Sequence, residues 1–115
     1  MITRIKAGPR MSQVVVHGNT VYLAGQVASN RSADTAGQTR EILASIDGLL
    51  AEAGTDKSHV LAATIYLTDM GTFNEMNAVW DAWVAPGCAP ARATVGAPLA
   101  SSAYRVEIVI TAARP

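Results

Sequence analysis

The chain has 115 residues, half of them hydrophobic, and a formal net charge of zero. Its length suits one compact domain over residues 1–115, and its low charge content of 16% is unlike that of a disordered tail. Lys and Arg form no cluster that would neutralise several phosphates. Nucleic acid is therefore not expected as the main partner.

The apolar pattern predicts neither secretion nor a membrane location. The first ten residues, MITRIKAGPR, lack the apolar core of a signal peptide, and no apolar run approaches the ~20 residues that span a bilayer. Cys88 is the only cysteine, so no disulfide can form within the chain. We expect a cytoplasmic protein without membrane contact.

A β-hairpin is predicted near the N-terminus. Residues Gln13 to Val16 and Thr20 to Val27 are rich in β-branched side chains. They flank Gly18-Asn19, a pair suited to a two-residue turn with positive φ angles.

A helix is predicted next, with either Asp34 or Thr35 as its N-cap and Gly54 closing it. Its apolar residues recur at helical spacing. They are Ile42, Leu43, Ile46, Leu49 and Leu50.

A strand and a second helix are predicted in the middle of the chain. Residues His59 to Thr68 alternate, which places Leu61, Ala63, Ile65 and Leu67 on one face. Thr72 and Glu75 have the spacing of a capping box, which predicts a helix that begins near Phe73 and ends at Pro86-Gly87. Its expected buried stripe is Met76, Val79, Trp80, Trp83 and Val84.

Two further strands are predicted at Ala91 to Ala97 and Tyr104 to Ala112. If the loop between them is centred near residues 99 and 100, the strands pair in antiparallel register and Arg92 lies opposite Glu107. The charged pair is then expected on the face of the sheet away from the helices, in a two-layer α+β arrangement.

Arg92 and Glu107 allow two interpretations from the residues alone. An arginine opposite a carboxylate is usually a surface or interface ion pair, which contributes little to stability. Alternatively, the planar donor fork of the arginine binds a ligand carboxylate, and the glutamate orients water or moves a proton. The frequency of such pairs favours the ion pair, and the residues alone leave the interpretation as a binding site open.

The other reactive side chains predict no site. His17, His59 and Cys88 form no metal-binding spacing. Trp80 and Trp83 lie three residues apart on the predicted amphipathic helix, which indicates buried packing.

Short segments along nearly the whole chain carry a further signal when they are taken together. They are Ser12-Gln13, Gly18 to Gln26, Gln38-Thr39, Leu67 to Met70, Phe73 to Asn77, Pro90-Ala91-Arg92 and Val106-Glu107-Ile108. In this order and spacing they resemble the signatures of the Rid family, also called the YjgF/YER057c/UK114 family.

The resemblance implies a chorismate-mutase-like (YjgF-like) α+β fold, a two-layer sandwich in which two helices cover one face of a mixed β-sheet. It also implies a homotrimer with clefts between subunits. The implied activity is hydrolysis of small enamines and imines, such as 2-iminopropanoate and 2-iminobutanoate, to keto acids. These intermediates are released by pyridoxal-phosphate enzymes, and no metal or organic cofactor is implied for the hydrolysis itself.

The resemblance also assigns roles to residues. Arg92 corresponds to the family arginine that binds the substrate carboxylate, and Glu107 to the glutamate near the attacking water. Gly25 would contribute backbone hydrogen bonds beside the ligand, and Asn77 would help to shape the cleft.

The chain departs from the family pattern around this cleft. Met11 stands where many catalytic members carry an aromatic residue, Ala24 where serine is frequent and Thr94 where cysteine is frequent. Residues 28–37 also form a shorter loop. We therefore expect Met11 and Thr94 to give the substrate pocket a different wall.

A non-catalytic trimer that binds small carboxylates is an alternative function, and the family's record also includes ribonuclease or translation-inhibitor activity.

Overall fold

The computed structural model describes all 115 residues as six strands and two α-helices. The strands are β1 (Ile2–Ala7), β2 (Ser12–His17), β3 (Thr20–Leu23), β4 (Val60–Leu67), β5 (Ala91–Gly96) and β6 (Val106–Ala113). The helices are α1 (Thr35–Glu52) and α2 (Phe73–Trp83), and short 3₁₀ turns lie at Lys57–His59 and Met70–Thr72.

The six strands form one mixed sheet in the order β1-β2-β3-β6-β4-β5. Only β4 and β5 are parallel, and the other neighbours are antiparallel. The molecule measures 41 × 37 × 20 Å, and its short dimension matches one sheet covered by one layer of helices, which are about 10–12 Å thick. The predicted two-layer α+β arrangement is confirmed. No helix combines the length and the apolar character needed to cross a membrane.

Helix α1 begins and packs as the sequence predicts. The Asp34 carboxylate accepts a hydrogen bond of 2.8 Å from the amide of Gly37, so Asp34 is the N-cap. All five apolar residues of the predicted stripe are buried in a core cluster of 22 residues. Gly54 follows the helix with a φ of 82°, a conformation that favours glycine.

The N-terminal hairpin is confirmed, although β3 ends at Leu23 and not at Val27. Gly18 takes a φ of 61° in the turn. The sequence pattern missed β1, which pairs with β2 at the edge of the sheet. Because nearly all of its side chains are exposed, β1 lacks the alternation that marks a half-buried strand.

Strand β4 differs from its predicted alternation at one residue. The pairing with β6 shifts between Val60 and Ala62, which indicates a bulge at Leu61. Val60 is therefore buried with Ala63, whereas the Leu61 side chain is 52% exposed. The prediction that Leu61 shares the buried face is wrong, since a bulge moves a residue out of the two-residue repeat.

Helix α2 begins at Phe73 as predicted, but not through a capping box. The Thr72 hydroxyl donates to the carbonyl oxygen of Asp69 at 2.7 Å and does not cap the helix. The Glu75 carboxylate accepts a hydrogen bond of 2.8 Å from the amide of Ala36 in the first turn of α1. Glu75 thus satisfies a free backbone N–H group of the neighbouring helix, and the predicted capping box is wrong.

The predicted pairing of the last two strands is also wrong. Strand β4 lies between β5 and β6, so Arg92 pairs with Ala63 and Glu107 pairs with Tyr66. Residues three apart on a strand point to opposite faces. Arg92 therefore faces the helices and Glu107 faces the uncovered side of the sheet. The segment between β5 and β6 passes β4 and is not a hairpin.

Candidate active site

Arg92 projects from edge strand β5 towards helix α2. Its Nη1 donates a hydrogen bond of 2.7 Å to Oδ1 of Asn77, and the contact is partly buried. The guanidinium carbon lies 5.4 Å from the ring centre of Trp80 and 5.9 Å from that of Phe73. Phe73, Asn77 and Trp80 are spaced four and three residues apart, so they form one stripe along α2.

The guanidinium of Arg92 has unused hydrogen-bonding capacity. No carboxylate lies within ion-pair distance of it, and the bond to Asn77 is its only side-chain hydrogen bond. An arginine offers five N–H donors in a planar fork, so most of its donors are free to bind an anion. A carboxylate matches this fork geometry.

Thr94 adds a second unsatisfied group on the same side of β5. It lies two residues after Arg92, and its hydroxyl is buried without a hydrogen-bond partner. Buried hydroxyl groups usually have partners, so the Thr94 hydroxyl is an exception that the chain itself does not satisfy. We call Arg92, Asn77, Thr94, Phe73 and Trp80 the Arg92 cluster.

Glu107 lies against Gly25 on the uncovered face. A Cβ atom built on Gly25 would overlap Oε2 of Glu107 and would stand 3.0 Å from its Cδ, so this contact requires glycine. Backbone hydrogen bonds of 2.9 and 3.1 Å between Gln26 and Ile108 hold the two segments together. No cationic side chain lies within ion-pair distance of Glu107. We call Glu107 and Gly25 the Glu107 pair.

The Arg92 cluster and the Glu107 pair do not form one site within the chain. Arg92 and Glu107 lie two strands apart and three residues out of step, on opposite faces of the sheet. Strand spacing and rise per residue place their Cα atoms roughly 14 Å apart. Met11 precedes β2, near the sheet edge farthest from β5, and is 48% exposed. The structure thus brings Arg92 and Asn77 together, places Thr94 on the same face of β5, and separately brings Gly25 and Glu107 together.

The sequence pattern missed Phe73 and Trp80 as contacts of Arg92. Trp80 is 5% exposed, so the predicted buried packing is confirmed, but its ring also faces a cation. The regular spacing of Phe73, Asn77 and Trp80 was the available signal. This spacing alone does not predict the contact with Arg92, because no residue of α2 indicates that β5 lies beside the helix.

Two carboxyl groups outside both clusters have shifted pKa values. The backbone N–H groups of Ser29 and Asn30 donate to Glu41 and lower the pKa of its carboxyl. Hydrogen bonds from Ser58 and His59 lower the pKa of the Asp56 carboxyl. Asp56 caps the 3₁₀ turn that follows it, and Glu41 ties the loop at Ser29 and Asn30 to α1, so both carboxyls have structural roles.

The uncovered face of the sheet carries exposed apolar side chains beside polar ones. Tyr22 is 48% exposed and Val95 is 41% exposed, and both lie on the side away from the helices. Leu61, beside this face, is 52% exposed. An uncovered sheet face normally carries polar residues, so exposed apolar side chains of this size favour an interaction surface.

Comparisons with known proteins agree with this fold. A family model described as Endoribonuclease L-PSP matches residues 1–114. The chain is 50% identical over 112 residues to the RutC family protein YoaB of Escherichia coli K12, covering 97% of each. A YjgF-family structure from Neisseria meningitidis matches with a TM-score of 0.98 and 50% identity, covering 100% of this chain and 96% of that chain. A YjgF/YER057c/UK114-family structure from Mycobacterium tuberculosis matches with a TM-score of 0.89 and 28% identity, covering 98% and 99%.

Proposed function

Because this chain belongs to the YjgF/YER057c/UK114 family, also called the Rid family, we propose that it hydrolyses small 2-imino acids to 2-keto acids and ammonia. Arg92 binds the substrate carboxylate. The observation that carries this assignment is the partly buried guanidinium, which has one hydrogen bond to Asn77 and no carboxylate partner. A buried charge is costly unless it is paired, and a substrate carboxylate supplies the missing partner.

The proposed site is completed by a second copy of the chain. Arg92 and Glu107 of one chain face opposite sides of the sheet, so they meet around a small substrate only if different subunits provide them. The uncovered face, on which Tyr22 and Val95 are exposed, is a surface on which such an assembly can form. We propose a homotrimer with a substrate cleft between each pair of subunits.

The reaction needs one water molecule and no covalent intermediate with the protein. Water positioned by Glu107 adds to the electrophilic carbon of the protonated imine. One proton of the added water passes to the nitrogen and the carbon–nitrogen bond breaks. The ammonia that leaves takes up the remaining hydroxyl proton as ammonium, and the 2-keto acid remains. Arg92 keeps the carboxylate fixed throughout. The rate gain comes mainly from orientation and electrostatic stabilisation.

Replacement of Arg92 by alanine tests this proposal. We expect Arg92→Ala to lose keto-acid release above the uncatalysed rate from freshly generated 2-iminopropanoate. Arg31→Ala is a matched control, because Arg31 also lies over an aromatic ring, 5.0 Å from that of Tyr104, but outside the Arg92 cluster. Arg31→Ala should keep the wild-type rate. Wild-type turnover in Arg92→Ala would contradict the assignment.

A non-catalytic carboxylate binder is the second candidate function. It is favoured by Met11 and Ala24, which stand where many catalytic members carry an aromatic residue and a serine. If 2-ketobutyrate binds in an Arg92-dependent way while imine hydrolysis stays at the uncatalysed rate, the binder is the correct function.

Ribonuclease activity is suggested by the family resemblance and by the description of the matching family model. The zero net charge does not favour it, since phosphate contacts from Lys and Arg dominate nucleic-acid affinity. RNA binding that weakens steeply with salt would revive this candidate.

A further inference from the structure

Arg92 makes two kinds of contact with one face of helix α2, a hydrogen bond and cation–π contacts. Asn77 accepts the Nη1 hydrogen bond at 2.7 Å, and Trp80 and Phe73 place their rings 5.4 and 5.9 Å from the guanidinium carbon. Both distances lie within the roughly 6 Å over which a cation is attracted to a ring, and tryptophan is the strongest partner for such a contact.

The ring of Trp80 is itself firmly placed. It is 5% exposed and lies 5.2 Å from the ring of Trp83. The indole nitrogen of Trp83 donates a hydrogen bond of 3.0 Å to Asp47 on α1. Trp80 is thus buried against Trp83, whose indole is bonded to α1.

We infer that Trp80 is a positioning residue for Arg92, and this inference rests on the proposed function. The hydrogen bond to Asn77 fixes one nitrogen of the guanidinium, and the ring of Trp80 restricts the rest of the group. The free N–H donors are then already oriented when the substrate carboxylate arrives. Such preorganisation lowers the entropic cost of binding.

Arginine side-chain NMR tests the arrangement without any ligand. In the wild-type protein, ring currents should shift the side-chain resonances of Arg92 away from their ordinary positions. Trp80→Phe keeps an aromatic ring and should retain part of the shift, whereas Trp80→Leu should lose most of it. Ordinary Arg92 resonances in the wild-type protein would overturn the inference.

Calorimetric binding of 2-ketobutyrate tests the consequence for the ligand. Trp80→Leu should weaken binding roughly tenfold, and Trp80→Phe should restore most of the affinity. Met76→Ala is the control for lost packing. Met76 is fully buried on the same helix, but the hydrogen bond and ring contacts of Arg92 do not involve it. The substitution should destabilise the protein and leave the affinity unchanged.

The two measurements separate this inference from the proposed function. Unchanged affinity in Trp80→Leu would overturn the positioning role and leave carboxylate binding by Arg92 intact. Wild-type protein that does not bind 2-ketobutyrate would contradict the proposed function. The NMR shifts would then still test whether the ring of Trp80 holds the Arg92 side chain.

Discussion

Gln38 and Arg92 both have a polar side chain that is fully or partly buried. Gln38 is fully buried, and its amide makes three hydrogen bonds within the chain. Nε2 donates to the carbonyl oxygens of Ala33 and Ala103 at 3.1 and 3.0 Å, and Oε1 accepts from the amide of Arg105 at 2.9 Å. These bonds tie the segment before β6 to helix α1.

Arg92 is satisfied far less completely. It makes one side-chain hydrogen bond, to Asn77, and two contacts with aromatic rings. The difference separates two uses of a partly or fully buried polar group. Where the chain supplies every partner, as for Gln38, the group holds the fold together. Where it does not, as for Arg92, the group is available to a ligand.

The strongest test of this difference is the loss of Arg92. Arg92→Ala should weaken 2-ketobutyrate binding roughly 100-fold, because charge-assisted hydrogen bonds contribute about 1.5–3 kcal/mol each. The free energy of unfolding should fall by only about 1 kcal/mol, since one hydrogen bond and the ring contacts are lost. Calorimetry and urea denaturation measure the two quantities. A large loss of stability with normal binding would make Arg92 a structural residue.

Loss of Gln38 should have the opposite pattern. Gln38→Leu leaves three backbone groups without their partners, and we expect the free energy of unfolding to fall by about 3 kcal/mol. Binding of 2-ketobutyrate by the folded protein should not change. Thr39→Val is the control, because the Thr39 hydroxyl makes only one bond, of 2.7 Å to the carbonyl of Thr35. Similar urea midpoints for Gln38→Leu and Thr39→Val would contradict this prediction.

A smaller effect is expected at the Glu107 pair. Gly25→Ala places a methyl group where the Glu107 carboxylate lies, so the carboxylate must move. We expect imine hydrolysis to slow roughly tenfold, which is about 1.4 kcal/mol, with little change in carboxylate binding.

Gly48→Ala is the matched control for Gly25→Ala. A Cβ on Gly48 meets nothing within 4 Å, and Gly48 lies inside α1. The substitution should keep full activity and add about 0.5–1 kcal/mol of stability. Equal rates for the two alanine variants would remove Glu107 from the proposed mechanism.

The smallest expected effect is the pH dependence that Glu41 confers. Hydrogen bonds from the amides of Ser29 and Asn30 lower the pKa of Glu41 below its ordinary value of 4.5. Glu41 therefore adds stability above the unfolded-state pKa and loses that contribution as pH falls through the lower folded-state pKa. The stability difference between wild type and Glu41→Gln should shrink between pH 7 and pH 3 in urea denaturation. A constant difference would show that ionisation of Glu41 is not involved.

The sequence alone predicted the elements whose signals are local. Helix α1 has its N-cap at Asp34, its apolar stripe and its closing Gly54, and all of these act within one segment. The hairpin turn at Gly18 is local as well. The family resemblance, drawn from short segments in a fixed order, predicted the α+β fold and directed attention to Arg92.

Only the tertiary structure decided which strands are neighbours and which face each charged residue occupies. Pairing between β4 and β5 depends on contacts far apart in sequence, so the predicted antiparallel pair of β5 and β6 was wrong. The same limit explains Glu75, whose carboxylate binds the amide of Ala36 and not a residue of its own helix. Residue types determine which groups need partners, whereas long-range packing determines where those partners are. Arg92 faces Trp80 and not Glu107 for this reason.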